Sequence, residues 1–300
     1  MDRVVTVCAV VVTYNRKELL IECLDALENQ SRPLDAIYIL DNASNDKTTF
    51  LLEENGYINE NPPETLQIPW EKSSIKNGVL IHYVRMHRNT GGAGGFHEGV
   101  KRAYEKGYDW IWLMDDDAEP KKNALLELSK FFKKKKVSAL ATVVKNKDLE
   151  ISIAHRGYFN FNNIFPTIQK PLPEIEYEKS PIIEIDFASF VGFLIKRQSI
   201  DKIGFPKKEL FIHHDDVEYC IRLRKIGKIF LVSNSIIIHK DHEKRINSFL
   251  GRKYRKLSPN NLWITYFGTR NLVWIGKLYS PTKRFYIYLI IDYIKNIGLI

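Results

Sequence analysis

Along the first half of the chain, apolar runs alternate with stretches of helical spacing. Residues 4–12 are a short β-branched run, which predicts a strand buried on both faces. Over 16–29, Leu19, Leu20, Cys23, Leu24 and Leu27 recur at the interval that puts them on one helical face. Residues 36–40 predict a second strand, closed by Asp41-Asn42-Ala43-Ser44-Asn45-Asp46, whose composition suits a turn feeding a helix cap. Residues 51–78, with Pro62, Pro63 and Pro69, read as an irregular surface insertion. Strands are predicted over 79–84, 110–114 and 137–143, and helices over 95–106 and 120–135, with Pro120 near the start of the latter.

Strands separated by helices of this length make right-handed β-α-β units and a mainly parallel sheet, so the fold class is α/β. Ligands of such sheets bind outside the carboxyl ends of the strands. The polar clusters fall there: residues 13–16, Asp41-Asn42, 88–95 and 115–117. After residue 150 the pattern changes, and Ile183-Glu184-Ile185-Asp186-Phe187 alternates as an antiparallel strand does. Helical spacing returns over 215–225, a basic loop covers 242–256, and aromatic-rich helical segments follow.

Composition narrows the class. The 300 residues are 44% hydrophobic and 27% charged, ordinary for a globular protein. A net charge of +9 suits a phosphorylated small molecule, an anionic lipid or a nucleic acid. No helix-turn-helix, zinc-finger or RNA-recognition pattern accompanies it, so no nucleic-acid partner is expected. Cys8, Cys23 and Cys220 make neither a disulfide framework nor a zinc site, and a reducing compartment follows. The first apolar run leads into Thr-Tyr-Asn-Arg rather than a cleavage site, and no run approaches the roughly 20 apolar residues of a membrane span. A cytoplasmic location is therefore expected. Lys133–Lys136 is either a solvated helix end or a contact with an anionic inner-membrane surface. Residues 284–300, with Ile287, Ile290, Ile291 and Ile294 on one face, either lie in a membrane interface or dock on the core.

Three segments carry chemistry. Asp115-Asp116-Asp117 ends a buried strand, where three carboxylates are costly unless a cation resides among them. Mg²⁺ or Mn²⁺ takes oxygen ligands, and the alternate residues Asp115 and Asp117 can converge on one ion. The plain alternative is a solvated turn before a helix. Asn89-Thr-Gly-Gly-Ala-Gly-Gly-Phe joins a strand to a helix; its glycines let backbone approach a ligand, and the helix start favours an anion. It is neither a dinucleotide fingerprint nor a Walker A loop. In the 211–222 segment, His213, His214, Asp215, Asp216 and Glu218 are more polar groups than a helix cap needs, and a carboxylate there can serve as general base. His239 ends an apolar strand; alone it reads as structural, but an imidazole completes a carboxylate site for Mn²⁺.

Val10-Val-Val-Thr-Tyr-Asn-Arg, Asp41-Asn-Ala-Ser, the glycine segment, Asp115-Asp-Asp and His213-His-Asp-Asp-Val-Glu-Tyr together resemble family 2 glycosyltransferases of the GT-A fold. More narrowly they are similar to the bacterial galactofuranosyltransferase and rhamnosyltransferase branch, out to Tyr266-x-x-x-Arg270-Asn271. The resemblance implies that Thr13, Tyr14, Asn15 and Arg16 line the nucleotide and that Asp41 faces its base or ribose. Asn89, Gly91, Gly92, Gly95 and Asp116 would border the diphosphate and sugar. Asp115 and Asp117 look like the metal ligands, with His239 completing the site. Asp216 matches the catalytic base of the inverting mechanism, and His214, Asp215 and Glu218 would orient the acceptor or the helix. Residues 1–145 are then the nucleotide-sugar half, 146–258 the acceptor and catalytic-base half of the same domain, and 259–300 a C-terminal helical segment.

The activity implied is inverting, metal-dependent transfer from a nucleotide-diphosphate sugar to a hydroxyl of a saccharide or lipid-linked glycan. Three Asp rather than Asp-x-Asp, with Gly-Gly-Ala-Gly-Gly-Phe, favour UDP-galactofuranose over dTDP-rhamnose as donor. Two rivals stand beside it. A nucleotidyltransferase would place a glycine-rich, basic loop directly after the first strand, where Thr-Tyr-Asn-Arg stands instead. A non-catalytic sugar-nucleotide-binding module would have no need of Asp216.

Overall fold

The computed structural model describes residues 4–161, 167–240, 247–249, 252–254, 262–280, 285–287 and 290. Its strands are β1 (Val7–Thr13), β2 (Ala36–Asp41), β3 (Trp70–Lys76), β4 (Val79–Arg85), β5 (Trp110–Asp115), β6 (Ala118–Pro120), β7 (Val137–Lys145), β8 (Arg156–Phe159), β9 (Gln169–Pro171), β10 (Ile182–Ile185), β11 (Phe187–Ala188), β12 (Phe193–Lys196) and β13 (Lys228–His239). The helices are α1 (Lys17–Glu28), α2 (Thr48–Glu54), α3 (Gly91–Lys106), α4 (Ala124–Ser129), α5 (Arg197–Ile203), α6 (Asp215–Arg224) and α7 (Leu262–Tyr279).

One large sheet runs β10-β13-β7-β12-β5-β1-β2-β4-β3, with β6 paired to β13. The stretch β5-β1-β2-β4 is parallel, as the alternation of strands and helices predicts. Its register sets Val12 beside Asp115, Thr13 beside Asp41 and Asp41 beside Arg85. Four strand ends thus share one edge. β12 enters antiparallel between β5 and β7, a placement that no local pattern indicates. The alternating run after residue 150 divides: Ile183–Ile185 lies in β10, antiparallel to β13 at the edge of the large sheet, and Phe187 in β11 of a small sheet β11-β8-β9.

The β1 run is apolar throughout because both sides of the sheet are covered. Cys8, Val10 and Val12 pack in one hydrophobic layer with Phe96, Val100 and Ala103 of α3. Val7, Ala9 and Val11 pack in the other with Leu20, Cys23, Leu24 and Leu27 of α1, the face that the helical spacing picked out.

Three local expectations change. Helix α3 begins at Gly91 rather than at residue 95, despite the poor helix propensity of glycine. Packing decides: a Cβ on Gly95 would lie 2.5 Å from Val12 Cγ1, so the glycines let α3 settle directly on β1. The 120–135 helix shrinks to α4, because Ala118–Pro120 pairs with the end of β13. The 51–78 insertion holds the end of α2 and the antiparallel edge strand β3. The basic loop and the C-terminal isoleucine face lie mostly outside the described residues. Among the described residues, no helix is long and apolar enough to cross a membrane.

Candidate active site

A cleft of about 1070 Å³ opens at the shared strand edge. Its floor is the acidic triplet. Asp115 is the last residue of β5, and Asp116 and Asp117 are buried at the turn beyond it. Thr13 Oγ1 at the end of β1 donates to Asp116 Oδ2 at 2.7 Å. Arg16 Nη1 donates to Asp117 Oδ2 at 2.6 Å. The pairing of β13 with β6 brings His239 alongside, with its Nε2 3.0 Å from Asp117 Oδ1.

One ligand atom from each of Asp115, Asp117 and His239 lies within 4.8 Å of the others. Asp117 Oδ1 is buried with the His239 imidazole beside it, while Arg16 takes the other oxygen of that carboxylate. A buried carboxylate oxygen that converges with a second carboxylate and an imidazole fits a divalent cation. The charge balance agrees. Burial and the Asp117 charge push Asp115 up to about 7. Burial also pushes Asp116 to about 6, although Thr13 and Arg16 draw it back. Burial opposes ionisation of Asp117 too, but His239 and Arg16 outweigh it and hold that carboxyl below its usual range.

The β2 and α3 side is stitched together by asparagines. Asn42 Oδ1 accepts from the Thr90 N–H at 2.9 Å and from Thr90 Oγ1 at 3.0 Å, while its Nδ2 donates to the Gly91 carbonyl at 2.8 Å. Asn89 Oδ1 caps the Gly91 N–H at 2.8 Å. Asp41 is fully buried and turned inward, accepting from the Ser44 N–H, from Tyr83 Oη and from Arg85 Nη1. Asn15 joins two loops, receiving the Asn45 N–H and giving its own N–H to Ser44.

The opposite wall is the segment leading into α6. Phe211, His213 and His214 all have φ near +64°, in the left-handed region. Burial pushes Asp215 and Asp216 up to about 7, each with the charge of a neighbouring carboxylate adding to it. For Asp216 that neighbour is Asp115, across the cleft floor. The Val217 N–H, donating to Asp216 Oδ1 at 2.7 Å, opposes the rise. Burial lowers His214 to about 4, so it is a neutral imidazole. Glu218 faces away: it is buried against Arg222 and Tyr279, whose Oη donates to it at 2.7 Å.

The cleft therefore gathers Thr13, Tyr14, Arg16, Asn89, Gly91, Gly92, the three aspartates, His214, Asp215, Asp216 and His239. Asn15, Asp41, Gly95 and Glu218 are not among its lining residues. Sequence reasoning placed Asn42 in a strand-end cluster but gave it no role, although strand alternation turns it to the face opposite Asp41. His155 lines the cleft with its ring centroid 5.1 Å from that of His239, and Trp263 and Phe267 of α7 form part of the rim. These come from segments with no local motif. Fully buried Arg156 donates to the carbonyls of Thr142, His155 and Val191, and its charge favours the ionised form of Asp216.

A mainly parallel sheet with an acidic triplet and a basic carboxylate across one cleft is the architecture of a GT-A glycosyltransferase. Residues 8–204 match glycosyl transferase family 2, and the chain belongs to that family. It is 28% identical over 277 residues to the galactofuranosyltransferase GlfT1 of Mycolicibacterium smegmatis, covering 90% of this chain and 83% of that one. It is 21% identical to the dTDP-rhamnosyl transferase RfbF of Shigella flexneri, over 72% of this chain and 63% of the relative. Among solved structures, it matches GalNAc-T7 with UDP, GalNAc and Mn²⁺ at a TM-score of 0.60 and 14% identity, over 93% of this chain but 49% of the other. It matches S. aureus TarS 1-349 in complex with UDP at a TM-score of 0.55 and 14% identity, over 93% and 67%. The fold is thereby GT-A and the chain is a glycosyltransferase.

Proposed function

We propose that the protein is an inverting, metal-dependent galactofuranosyltransferase, taking the sugar from UDP-galactofuranose to a hydroxyl of a saccharide or lipid-linked glycan. One observation carries this reading: Asp115, Asp117 and His239 converge in the same cleft that holds the raised carboxyl of Asp216. At about 1070 Å³ the open cleft is at the upper end of typical ligand pockets, roughly 1,000 Å³, a size that suits a bulky nucleotide-sugar. The donor sugar rests on the match to the M. smegmatis galactofuranosyltransferase over most of the chain. The weaker match to the S. flexneri enzyme keeps dTDP-rhamnose as the second donor to test.

A divalent cation held by Asp115, Asp117 and His239 would supply positive charge toward the leaving diphosphate. The chain's own groups do the rest. Tyr14, Asn89 and the start of α3 border the donor, with the helix N-terminus favouring its negative charge. Asp216, ionised, accepts the proton of the acceptor hydroxyl as that oxygen bonds to the anomeric carbon. The bond from that carbon to the diphosphate oxygen breaks on the opposite face, so one displacement inverts the centre.

The experiment is transfer and hydrolysis from a panel of UDP- and dTDP-sugars, with Mn²⁺ and with a chelator. UDP-galactofuranose should lead, chelation should abolish turnover, and NMR of the product should show the anomeric configuration inverted. Retained configuration, or full activity in chelator, would overturn the mechanism. A preference for dTDP-rhamnose would overturn the donor alone.

A further inference from the structure

The segment entering α6 is bent in a way its residue types resist. Side chains with a Cβ resist positive φ, yet Phe211, His213 and His214 stand at 64°, 64° and 65° within four positions. Asp215 is the first residue of α6, so these angles set where the first turn of the helix, and therefore Asp216, points. Something outside the segment has to hold it.

That hold comes from α7. Asn271 is fully buried, and its Nδ2 lies 2.8, 2.9 and 2.8 Å from the carbonyls of Leu210, Ile212 and His213, which share its two hydrogens. Its Oδ1 accepts from Arg270 Nη2 at 2.7 Å, which fixes the amide with its donor end toward the segment. Arg270 Nη2 also donates to the carbonyls of Glu209 at 2.7 Å and Leu210 at 3.1 Å. Phe267, one turn earlier, stacks on Phe211 with ring centroids 4.7 Å apart. On the other side of the segment, the Phe211 carbonyl accepts from the Ala93 N–H at 3.0 Å. His213, next to the turn into α6, is gripped from α7.

We propose that Asn271, locked by Arg270, is a positioning residue for transfer: it holds the left-handed 211–214 backbone that aims Asp216 at the acceptor. This rests on the assignment of Asp216 as base. A buried asparagine serving only to pack α7 would affect melting temperature and leave the chemistry of folded protein alone. The two roles separate in kinetics.

The test is a double-mutant cycle on full-length protein with Asn271→Asp and Asp216→Asn, the first nearly isosteric but facing three carbonyls with an acceptor. A small displacement of a reacting group can lower turnover about 10²-fold, and that is the loss expected in kcat for N271D, with donor affinity by calorimetry within about twofold. The double variant should be no slower than D216N, because residues acting as a unit are not additive. Should N271D keep kcat within about threefold while D216N loses about 10²-fold, the positioning role falls and the base stands. Should the losses multiply in the double variant, Asn271 does not act through Asp216 and the proposal falls. Near-normal turnover of D216N removes the base assignment itself. If N271D fails to fold, Arg270→Ala takes its place; about a tenfold loss of kcat, absent in the D216N background, supports the role, and unchanged kcat overturns it.

Discussion

On the β1–β2 wall of the cleft, Thr13, Asp41 and Asn42 direct their polar atoms to partners that the sheet register and the adjacent α3 start supply. On the α6 wall, buried Asp215 and half-buried Asp216 are raised to about 7 and placed behind three residues in left-handed backbone. The first wall is satisfied by its own elements. The second is held by a helix some 60 residues further along the chain, whose Asn271 reaches Leu210 across 61 positions. A polar group satisfied nearby resists perturbation, whereas one whose geometry is set from elsewhere is sensitive to distant changes in packing. The proposed roles, donor binding on one side and proton transfer on the other, suit that division.

The sharpest break of the comparison is Asp216→Asn. It removes the proton acceptor without changing volume, and turnover should fall about 10²-fold or more with donor binding retained, read by initial rates and calorimetry. The same group sets the pH dependence. Its carboxyl is raised to about 7 by burial and by Asp115, and only the ionised form accepts a proton. The rate should therefore decline about tenfold per pH unit as that carboxyl protonates on the acid side and level off at higher pH, a cation on Asp115 offsetting the part of the rise that the Asp115 charge causes. A profile flat through that range would contradict the assignment. The linkage to stability has the opposite sense. A carboxyl raised on folding favours the native state below the ordinary carboxylate range and loses that advantage as pH rises through about 7, so melting in chelator should fall across the interval.

Gly91→Ala strikes the seam between the walls. Gly91 has φ +72°, and an added Cβ would lie 2.0 Å from the Phe211 carbonyl oxygen, so the 211–214 segment must shift. Catalytic efficiency should fall by about 10- to 10²-fold, since misplacement of this order disrupts reacting geometry. Wild-type rates would show that the α6 wall tolerates movement and is not finely set.

Tyr83→Phe probes the self-satisfied wall and should have the smallest effect. It deletes one donor to Asp41, at 2.7 Å, while Arg85 and the Ser44 N–H remain. A loss of about 1 kcal/mol in denaturant unfolding is expected, with kcat within about twofold. A large kinetic loss would mean that this wall, too, is tuned from a distance.

Much of the fold was legible because its signals are local. The unbroken apolar β1 run and the spacing of Leu20, Cys23, Leu24 and Leu27 reflect burial of a strand on both faces and a helix on one. The shared edge of Thr13, Asp41 and Asp115 follows from parallel strands of similar length, so the acidic triplet stood out from the sequence. Asp41 shows the limit. Strand alternation puts its side chain on the face of Ile37 and Ile39, but that it is turned inward is decided by buried Tyr83 and half-buried Arg85 of the neighbouring strand. Glu218 shows the same limit, since its partners include Tyr279 at the far end of α7.

The sequence by itself determined the parallel sheet, the carboxylates at its edge and the carboxylate-rich start of α6, because hydrophobic period and side-chain type act over a few residues. Tertiary structure alone decided that α3 begins among the glycines and that Asn271 grips the bend before Asp216, while the meeting of His239 with Asp117 was expected only through the family resemblance. Those outcomes depend on strand insertion, close helix packing and carbonyls left free by an irregular turn. No residue carries a mark of the distant neighbour that will satisfy it until the chain has closed around both.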